Sequence, residues 1–170
     1  MADVNHSLAV KPAALEHGDT VVDLIELFFF AYRDFISDPD AILAKSDYGR
    51  AHHRVLHFVD RNPGLTVADL LDILKITKQS LARVLKELID SGLIEQHTGR
   101  EDRRQRLLFA TPAGQALSAS LSAPQEVRIK AALAELEPDA RDTVTAFLVR
   151  MINQAERNKA LRLVGKDTDR

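Results

Sequence analysis

Residues 66–92, TVADLLDILKITKQSLARVLKELIDSG, decide the fold of this chain. Thr66 and Asp69 have the spacing of a capping box, which predicts a short helix that begins here and runs through Leu74. Thr77 is placed to cap a second helix, and Gly92 is the residue expected just beyond its end. The apolar residues of this second helix recur on one face, at Leu81, Val84, Leu85, Leu88 and Ile89.

Two short strands are predicted after these helices, Leu93 to Thr98 and Gln105 to Ala110. The turn between them, Gly99-Arg-Glu-Asp-Arg-Arg104, is rich in arginine. The predicted order is that of a winged helix-turn-helix: a helix, a tight turn, a second helix and then a two-strand hairpin with a basic tip. The sequence therefore predicts a mainly α fold with a small β-hairpin wing.

The segment before this core is predicted to be a dimerisation helix. Asp19 or Thr20 can cap a helix that runs to about Ile36, where Ser37-Asp38-Pro39-Asp40 is expected to break it. Because apolar residues cover most of the circumference of this helix, it must be buried on more than one side, and a second subunit can supply that side. A further helix is predicted over about 48–60.

The segment after the wing is also predicted to be helical and to contribute to a dimer. Thr111-Pro112 predicts the start of a long helix to about Leu136, with Pro124 as a kink or break inside it. Pro138 is expected to start a last helix, and the chain is expected to fray from Glu156 onward. The predicted regions are an irregular arm (1–18), a dimerisation helix and connection (19–47), the winged helix-turn-helix (48–111), C-terminal dimerisation helices (112–158) and a charged tail (159–170).

The charge distribution favours a polyanionic partner for the predicted winged helix-turn-helix. The formal net charge of the chain is −2, yet residues 75–106 hold eight Lys or Arg against five Asp or Glu. Residues 1–74 hold six Lys or Arg against twelve Asp or Glu. A basic segment on an acidic body attracts a polyanion to one place on the surface.

Two basic surfaces are candidates for contact with double-stranded DNA. On the second helix, Arg83 can pair bidentately with guanine and Gln79 with adenine in the major groove, while arginines at the wing tip can reach the narrow minor groove. Either basic surface alone is usually just ordinary solvent-exposed surface. A basic helix face followed along the chain by a basic wing tip favours DNA binding. The predicted DNA contacts are Thr77, Lys78, Gln79, Ser80, Arg83, Lys86, Arg100, Asp102, Arg103, Arg104 and Arg106.

The stretch from Tyr48 to Gly114 resembles the MarR family of ligand-responsive bacterial transcription regulators. The motifs that carry the resemblance are Asn62-Pro-Gly, Gly92-Leu-Ile94, Asp102-Arg-Arg104 and Leu108-Phe-Ala-Thr111-Pro-Ala-Gly114. The resemblance implies a homodimer formed by helices at both termini. It also implies that Arg104 inserts into the minor groove while Asp102 orients it.

A finer resemblance involves the start of two of the predicted helices. Ile76-Thr-Lys-Gln-Ser80 and Gly49-Arg-Ala-His-His-Arg54 are similar to an alphaproteobacterial branch of the family. Some members of that branch govern cell-wall and stress genes.

An effector pocket is predicted from the resemblance together with an aromatic-rich helix. Family members bind aromatic acids or phenols, and an apolar cavity with a few polar groups and one cation suits such ligands. Arg33 is the expected partner of an anionic ligand because it is the one cation within the aromatic helix. The candidate lining residues are Phe29, Tyr32, Arg33, His53 and Arg54.

The histidines offer a weaker alternative, a metal site. His53 and His57 have the i, i+4 spacing of zinc ligands, with His52 adjacent. However, the helix lacks the Glu of a His-Glu-x-x-His motif, and the chain contains no cysteine. Neutral core or interface histidines are therefore favoured over an effector contact, and both over a metal site.

Other classes of protein are disfavoured. With only seven glycines, the chain contains no Gly-x-Ser-x-Gly, Walker or Gly-x-Gly-x-x-Gly motif, so neither an enzyme nor a cofactor is expected. The longest apolar run, Leu27 to Tyr32, is too short to span a membrane, and the N-terminus does not resemble a signal peptide, which favours a cytoplasmic protein.

The predicted function is that of a homodimeric, sequence-specific transcription regulator. It is expected to bind a pseudo-palindromic operator and to be released from it, or tuned on it, by a small aromatic or phenolic effector. The alternative is a winged-helix architectural or protein-interaction module without strong sequence preference.

Overall fold

The computed structural model describes residues 21–99 and 102–165, and the chain divides into one unit that ends at Asp34 and a second that begins at Phe35. The arm predicted at 1–18 and the cap predicted at Asp19 or Thr20 lie outside the described residues. The helices are α1 (Val22–Leu43), α2 (Arg50–Arg61), α3 (Val67–Leu74), α4 (Lys78–Asp90), α5 (Pro112–Ala134), α6 (Ala140–Met151) and α7 (Gln154–Val164). The strands are β1 (Leu65–Thr66), β2 (Ile94–Thr98) and β3 (Arg106–Ala110).

The three strands form an antiparallel sheet in the order β1-β3-β2. Ile94 pairs with Ala110 and Thr98 with Arg106, so the predicted hairpin is confirmed to within a residue at each strand. The two-residue strand β1 was not predicted; its Leu65 pairs with Leu108 and fills the core. The mainly helical fold with a small wing is thus confirmed.

The helix-turn-helix is formed by α3 and α4, and both predicted caps are observed. Thr66 Oγ1 accepts the Asp69 N–H at 3.1 Å, and Asp69 Oδ2 accepts the Thr66 N–H at 2.9 Å. Thr77 Oγ1 accepts the Ser80 N–H at 3.1 Å and caps α4. Lys75 ends α3 in the left-handed conformation, with φ 51°, which turns the chain sharply between the two helices.

A single apolar core holds α2, α3, α4 and the sheet together. Four of the five residues predicted to form the apolar face of α4 are buried, and the fifth, Ile89, packs partly against them. The side chains of α4 opposite to this face are consequently left at the surface. The buried core residues are Val55, Leu56, Val59, Leu65, Leu70, Leu81, Val84, Leu85, Leu88, Leu93, Ile94 and Leu108.

The helix break predicted at Pro39 is wrong, because α1 continues through this residue. A proline inside a helix leaves the carbonyl four residues earlier without its helical donor. Here that carbonyl belongs to Phe35, and it accepts a hydrogen bond from Gln125 Nε2 at 3.2 Å. Arg128 also pairs with Asp38, at 2.9 Å from Nε to Oδ2. Contacts from α5 therefore compensate for the proline.

The C-terminal region contains more helix than predicted. The long helix α5 runs through Pro124 without a break. The single last helix expected from Pro138 consists instead of α6 and α7. The expected fraying from Glu156 onward is wrong as far as Val164, where α7 ends, so residues 159–164 of the predicted charged tail are helical.

Oppositely charged side chains hold α7 against α3. Lys159 and Lys75 both donate to the Asp72 carboxylate, with 2.6 Å between Lys75 Nζ and Asp72 Oδ1. Lys75 Nζ also lies 3.3 Å from Glu156 Oε1. The hydrogen bonds from Lys159 and Lys75 lower the pKa of Asp72 to about 2. The stabilisation of the folded state by these hydrogen bonds to ionised Asp72 is therefore complete above the ordinary carboxyl pKa. It is lost as the pH falls toward 2.

The first unit exposes a dense set of apolar side chains on α1. Phe29 and Phe30 contact each other edge to face at 5.5 Å between ring centroids. Within the described part of the chain, no helix is both long and apolar enough to cross a bilayer. The exposed apolar residues of this unit are Val21, Val22, Leu24, Ile25, Leu27, Phe28, Phe29, Phe30 and Tyr32, with exposed fractions between 45% and 64%.

Candidate nucleic-acid interface

The first turn of α4 presents polar and basic side chains. A backbone N–H of this turn is already hydrogen-bonded to the helix cap, Thr77. The Thr77 hydroxyl accepts the Ser80 N–H and donates to Ser80 Oγ at 2.8 Å. These two predicted DNA contacts thus fix the start of α4. Lys78 and Gln79 are exposed beside them. The positive end of the helix dipole adds to the attraction of this turn for phosphate.

The next turns of α4 carry Arg83 and Lys86, each near a carboxylate. The side chain of Arg83 is 77% exposed, and its Nε lies 4.0 Å from Glu87 Oε1. Lys86 pairs with Asp90 one turn later, and the hydrogen bond that Lys86 donates to this carboxylate raises the pKa of Lys86. Since exposed ion pairs contribute little, a DNA phosphate can replace Asp90 as the partner of Lys86.

His52 is a buried polar residue at this surface whose contacts the sequence did not reveal. Its Nδ1 accepts the Gly49 N–H at 3.0 Å, and its Nε2 lies 2.5 Å from Glu87 Oε2. His52 therefore connects the start of α2 to the last turn of α4. In the sequence His52 is distinguished only by lying three residues after Gly49, the distance between an N-cap and the third helical residue.

The wing tip is a tight turn that Asp102 organises. Its Oδ1 accepts the backbone N–H of Arg104 at 2.8 Å, so the carboxylate fixes the main chain that carries this arginine. The Gly99 N–H donates to Gln105 O at 3.0 Å, which closes the turn. A Cβ on Gly99 would lie 2.7 Å from Asp102 O, so a larger residue would open the tip.

The other predicted wing residues have different surroundings. Arg106 Nη1 donates to Thr98 Oγ1 at 2.8 Å and to Arg103 O at 3.4 Å, which braces the two strands against each other. Arg103 is exposed at the tip. Arg100 lies outside the described residues. The structure thus shows a supporting role for Arg106 in addition to any contact with DNA.

The base of the wing is fixed by a close approach of α5. Thr111 Oγ1 accepts the Gly114 N–H at 3.1 Å and donates to Gly92 O at 2.6 Å. The Thr111 N–H donates to Leu93 O at 3.1 Å. A Cβ on Gly114 would lie only 2.0 Å from Leu93 O. The end of α4, the start of the wing and the start of α5 are therefore held at one junction.

Known proteins are similar to this chain over the segment that builds this surface. A model described as the MarR family matches residues 46–105. The HTH-type transcriptional regulator PetP of Rhodobacter capsulatus is 50% identical over 133 residues, which cover 78% of this chain and 80% of PetP. The chain belongs to the MarR family. The family predicted from the sequence is thereby confirmed, and the protein is a transcription regulator and not an enzyme.

Solved structures of other proteins have a fold similar to that of this chain. Streptococcus pneumoniae FabT in complex with DNA matches with a TM-score of 0.68 at 15% identity, over 78% of this chain and 94% of FabT. S. aureus MepR in its DNA-binding conformation matches with a TM-score of 0.65 at 19% identity, over 75% of this chain and 95% of MepR. These similarities confirm the winged-helix architecture.

The residues predicted to bind an effector in this MarR-family chain belong to both units. Phe29, Tyr32 and Arg33 lie in the unit that ends at Asp34. Arg33 Nε donates to Asp34 Oδ1 at 2.8 Å, which raises the pKa of Arg33, and its guanidinium lies 5.0 Å from the centroid of the Phe30 ring. An acidic ligand would therefore compete with a carboxylate that Arg33 already holds.

His53 and Arg54 lie on α2 in the second unit. Burial lowers the pKa of His53, and the nearby His57 lowers it further, which favours the neutral form of the ring. The two rings meet edge to face, 6.3 Å between centroids. Within 21–99 and 102–165 no three potential ligands among His, Asp and Glu cluster as a metal site.

Proposed function

We propose that this MarR-family regulator binds a pseudo-palindromic operator as a homodimer. In each subunit the exposed face of α4 reads the major groove and the wing contacts the minor groove. One observation carries the proposal: α4 buries Leu81, Val84, Leu85 and Leu88 in the core and thereby presents Gln79, Arg83 and Lys86 on the opposite side. FabT, which shares this fold, has been crystallised in complex with DNA.

The residue types on this face favour sequence-specific binding over architectural binding. Arg83 and Gln79 carry groups that hydrogen-bond to base edges. Architectural binders rely mainly on backbone contacts and on apolar wedges inserted between base steps. The exposed face of α4 has no apolar residue larger than Ala82, so the alternative of an architectural module has less support.

Two substitutions on α4 test the assignment of readers and positioners. We expect Arg83→Ala to cost ~1–3 kcal/mol on the preferred site and to relax the preference at one base position. Lys86→Ala is the control on the same face. We expect it to weaken binding to all DNA sequences evenly and to reduce the slope of log affinity against log salt concentration by about one unit. Binding to a randomised duplex library at several salt concentrations measures both. An unchanged preference in Arg83→Ala would contradict the assignment, and a wild type without any preference would favour the architectural module.

The homodimer is supported by the exposed apolar residues of α1. Soluble monomers rarely expose a contiguous apolar surface of this kind, and a large one marks an interaction site. In a twofold interface between two copies of the chain, the aromatic-rich α1 of each subunit buries its apolar side chains against the other subunit.

An acidic aromatic effector is the finer part of the proposal, and Arg33 is its proposed anchor. The support is the combination of a cation with Phe29 and Tyr32 on one exposed stretch of α1, whereas His53 and Arg54 remain predictions. Typical coupling between sites corresponds to a loss of DNA affinity of about 5- to 150-fold when the ligand binds.

A titration of the protein–DNA complex with aromatic acids tests this anchor. We expect wild type to be released at lower ligand concentration than Arg33→Ala, with Lys45→Ala as a control that behaves as wild type. Equal release of wild type and Arg33→Ala would remove Arg33 from the effector site.

A further inference from the structure

We propose that Glu87 is a positioning residue for Arg83, and that His52 holds Glu87 in place for this purpose. The proposal deepens the proposed function, and it rests on Arg83 reading a base. It adds specificity determinants that do not themselves need to touch DNA.

His52 is fixed on both sides of its ring. Its Nδ1 accepts the Gly49 N–H, which places the ring proton on Nε2. Nε2 then donates to Glu87 Oε2 over 2.5 Å. The side chain of His52 is only 10% exposed, so its donor needs a partner inside the protein. The Glu87 carboxylate is therefore tied to the rigid start of α2.

The second carboxylate oxygen is directed at Arg83. Glu87 Oε1 lies 4.0 Å from Nε of Arg83, one helical turn earlier on α4. The Arg83 nitrogen in this ion pair is Nε, so the two terminal amino groups can face another partner. In the proposed readout, those two groups pair bidentately with guanine. A carboxylate beside Nε also restricts the conformations of Arg83 before DNA is bound. The side chain therefore loses less conformational entropy when it binds a base.

The charge of Glu87 has an opposite effect on affinity for DNA in general. A carboxylate on the face of α4 repels the phosphates of any sequence, because nonspecific affinity depends on the charge that faces the backbone. Removing this charge should therefore raise the affinity for arbitrary DNA while it lowers discrimination between bases. A residue with a merely structural role would lower both.

The test measures affinity for the preferred duplex and for a scrambled duplex of equal length. We expect Glu87→Gln to reduce the ratio of the two affinities about two- to fivefold, the range of an exposed ion pair, and to bind the scrambled duplex more tightly than wild type. Asp90→Asn is the matched control: it also removes a carboxylate from α4, and it should raise affinity for the scrambled duplex without changing preference at the base that Arg83 reads.

Two substitutions that differ in side-chain length test the role of His52. His52→Asn keeps an acceptor for the Gly49 N–H but is too short to contact Glu87, and we expect it to lose discrimination as Glu87→Gln does. His52→Gln can extend an amide N–H toward Glu87, and we expect partial recovery. In an Arg83→Ala background, Glu87→Gln and His52→Asn should have no further effect on discrimination.

The outcomes separate this proposal from the proposed function. Full discrimination in Glu87→Gln, together with lost discrimination in Arg83→Ala, would overturn the positioning role and leave Arg83 as a reader. A proportional loss of affinity on both duplexes in Glu87→Gln would also overturn it. An unchanged profile in Arg83→Ala would overturn the assigned reader and this proposal with it. Because Glu87 is half-exposed, Glu87→Gln keeps the test valid even if a His52 variant fails to fold.

Discussion

Replacing Gly114 with alanine is expected to lower the free energy of unfolding by at least about 1–3 kcal/mol, the range of overpacked cores. The added Cβ would lie 2.0 Å from Leu93 O and 3.0 Å from Leu93 C. Both are backbone atoms at the start of the wing, so no flexible side chain can move aside. The start of α5 and the base of the wing must separate, which strains the hydrogen bonds that Thr111 makes there.

Urea unfolding of the two proteins measures this effect, and Gly165→Ala is the matched control. A Cβ on Gly165 meets nothing within 4 Å, and Gly165 has a φ of −79°, so the control should unfold as wild type does. Any Gly114→Ala protein that remains folded should also bind the operator more weakly, because the wing is displaced relative to α4. Equal unfolding midpoints for Gly114→Ala and wild type would contradict the observed packing.

The second large effect is expected from charges placed on α1. Leu24 and Phe28 lie one turn apart, and each is about half exposed. Replacing both with glutamate should convert the proposed dimer into a monomer, because each subunit would bury two carboxylates at its interface. A monomer has one reading head, and losing the second should reduce affinity for the operator by about 100- to 10,000-fold.

Sedimentation velocity and DNA binding at matched protein concentrations check this prediction. Glu26→Gln on the same helix is the control, and it should remain dimeric. The main apolar cluster of the second unit lies within residues 48–117, with Leu43 and Leu121 buried outside it, so the thermal unfolding of that unit should persist in the double variant. A double variant that sediments and binds as wild type does would exclude α1 from the interface.

The parts of the fold that could be predicted are those encoded by neighbouring residues. The capping pair Thr66 and Asp69, the cap Thr77 and the Thr111-Pro112 start all act over three or four positions, and each helix begins where they indicate. The apolar face of α4 follows from helical periodicity alone. These local signals were sufficient to locate the helix-turn-helix and the wing.

The parts that could not be predicted depend on partners far away in the sequence. Pro39 has the local signature of a helix break, and the contacts of Gln125 with the Phe35 carbonyl and of Arg128 with Asp38 show why α1 continues. Similarly, α7 is charged enough to look frayed until Asp72 on α3 is seen to hold Lys159. Local propensity is overridden in both places by tertiary contacts.

The candidate site shows the same division. Arg83 was identified by its position opposite the apolar face, which is a property of one helix. Its relation to Glu87 and, through it, to His52 depends on how α2 packs against α4. The bracing of the wing by Arg106 likewise depends on the register of two strands.

Footprinting of the wild-type protein on its preferred duplex tests the central claim most directly, namely that two copies of α4 read one operator. A twofold dimer of reading heads requires half-sites about one helical turn apart, roughly 34–36 Å. We therefore predict two symmetric protected segments on the same face of the duplex, both lost together in the Leu24→Glu, Phe28→Glu variant. A single protected half-site without a symmetric partner, bound as tightly by that variant as by wild type, would contradict it.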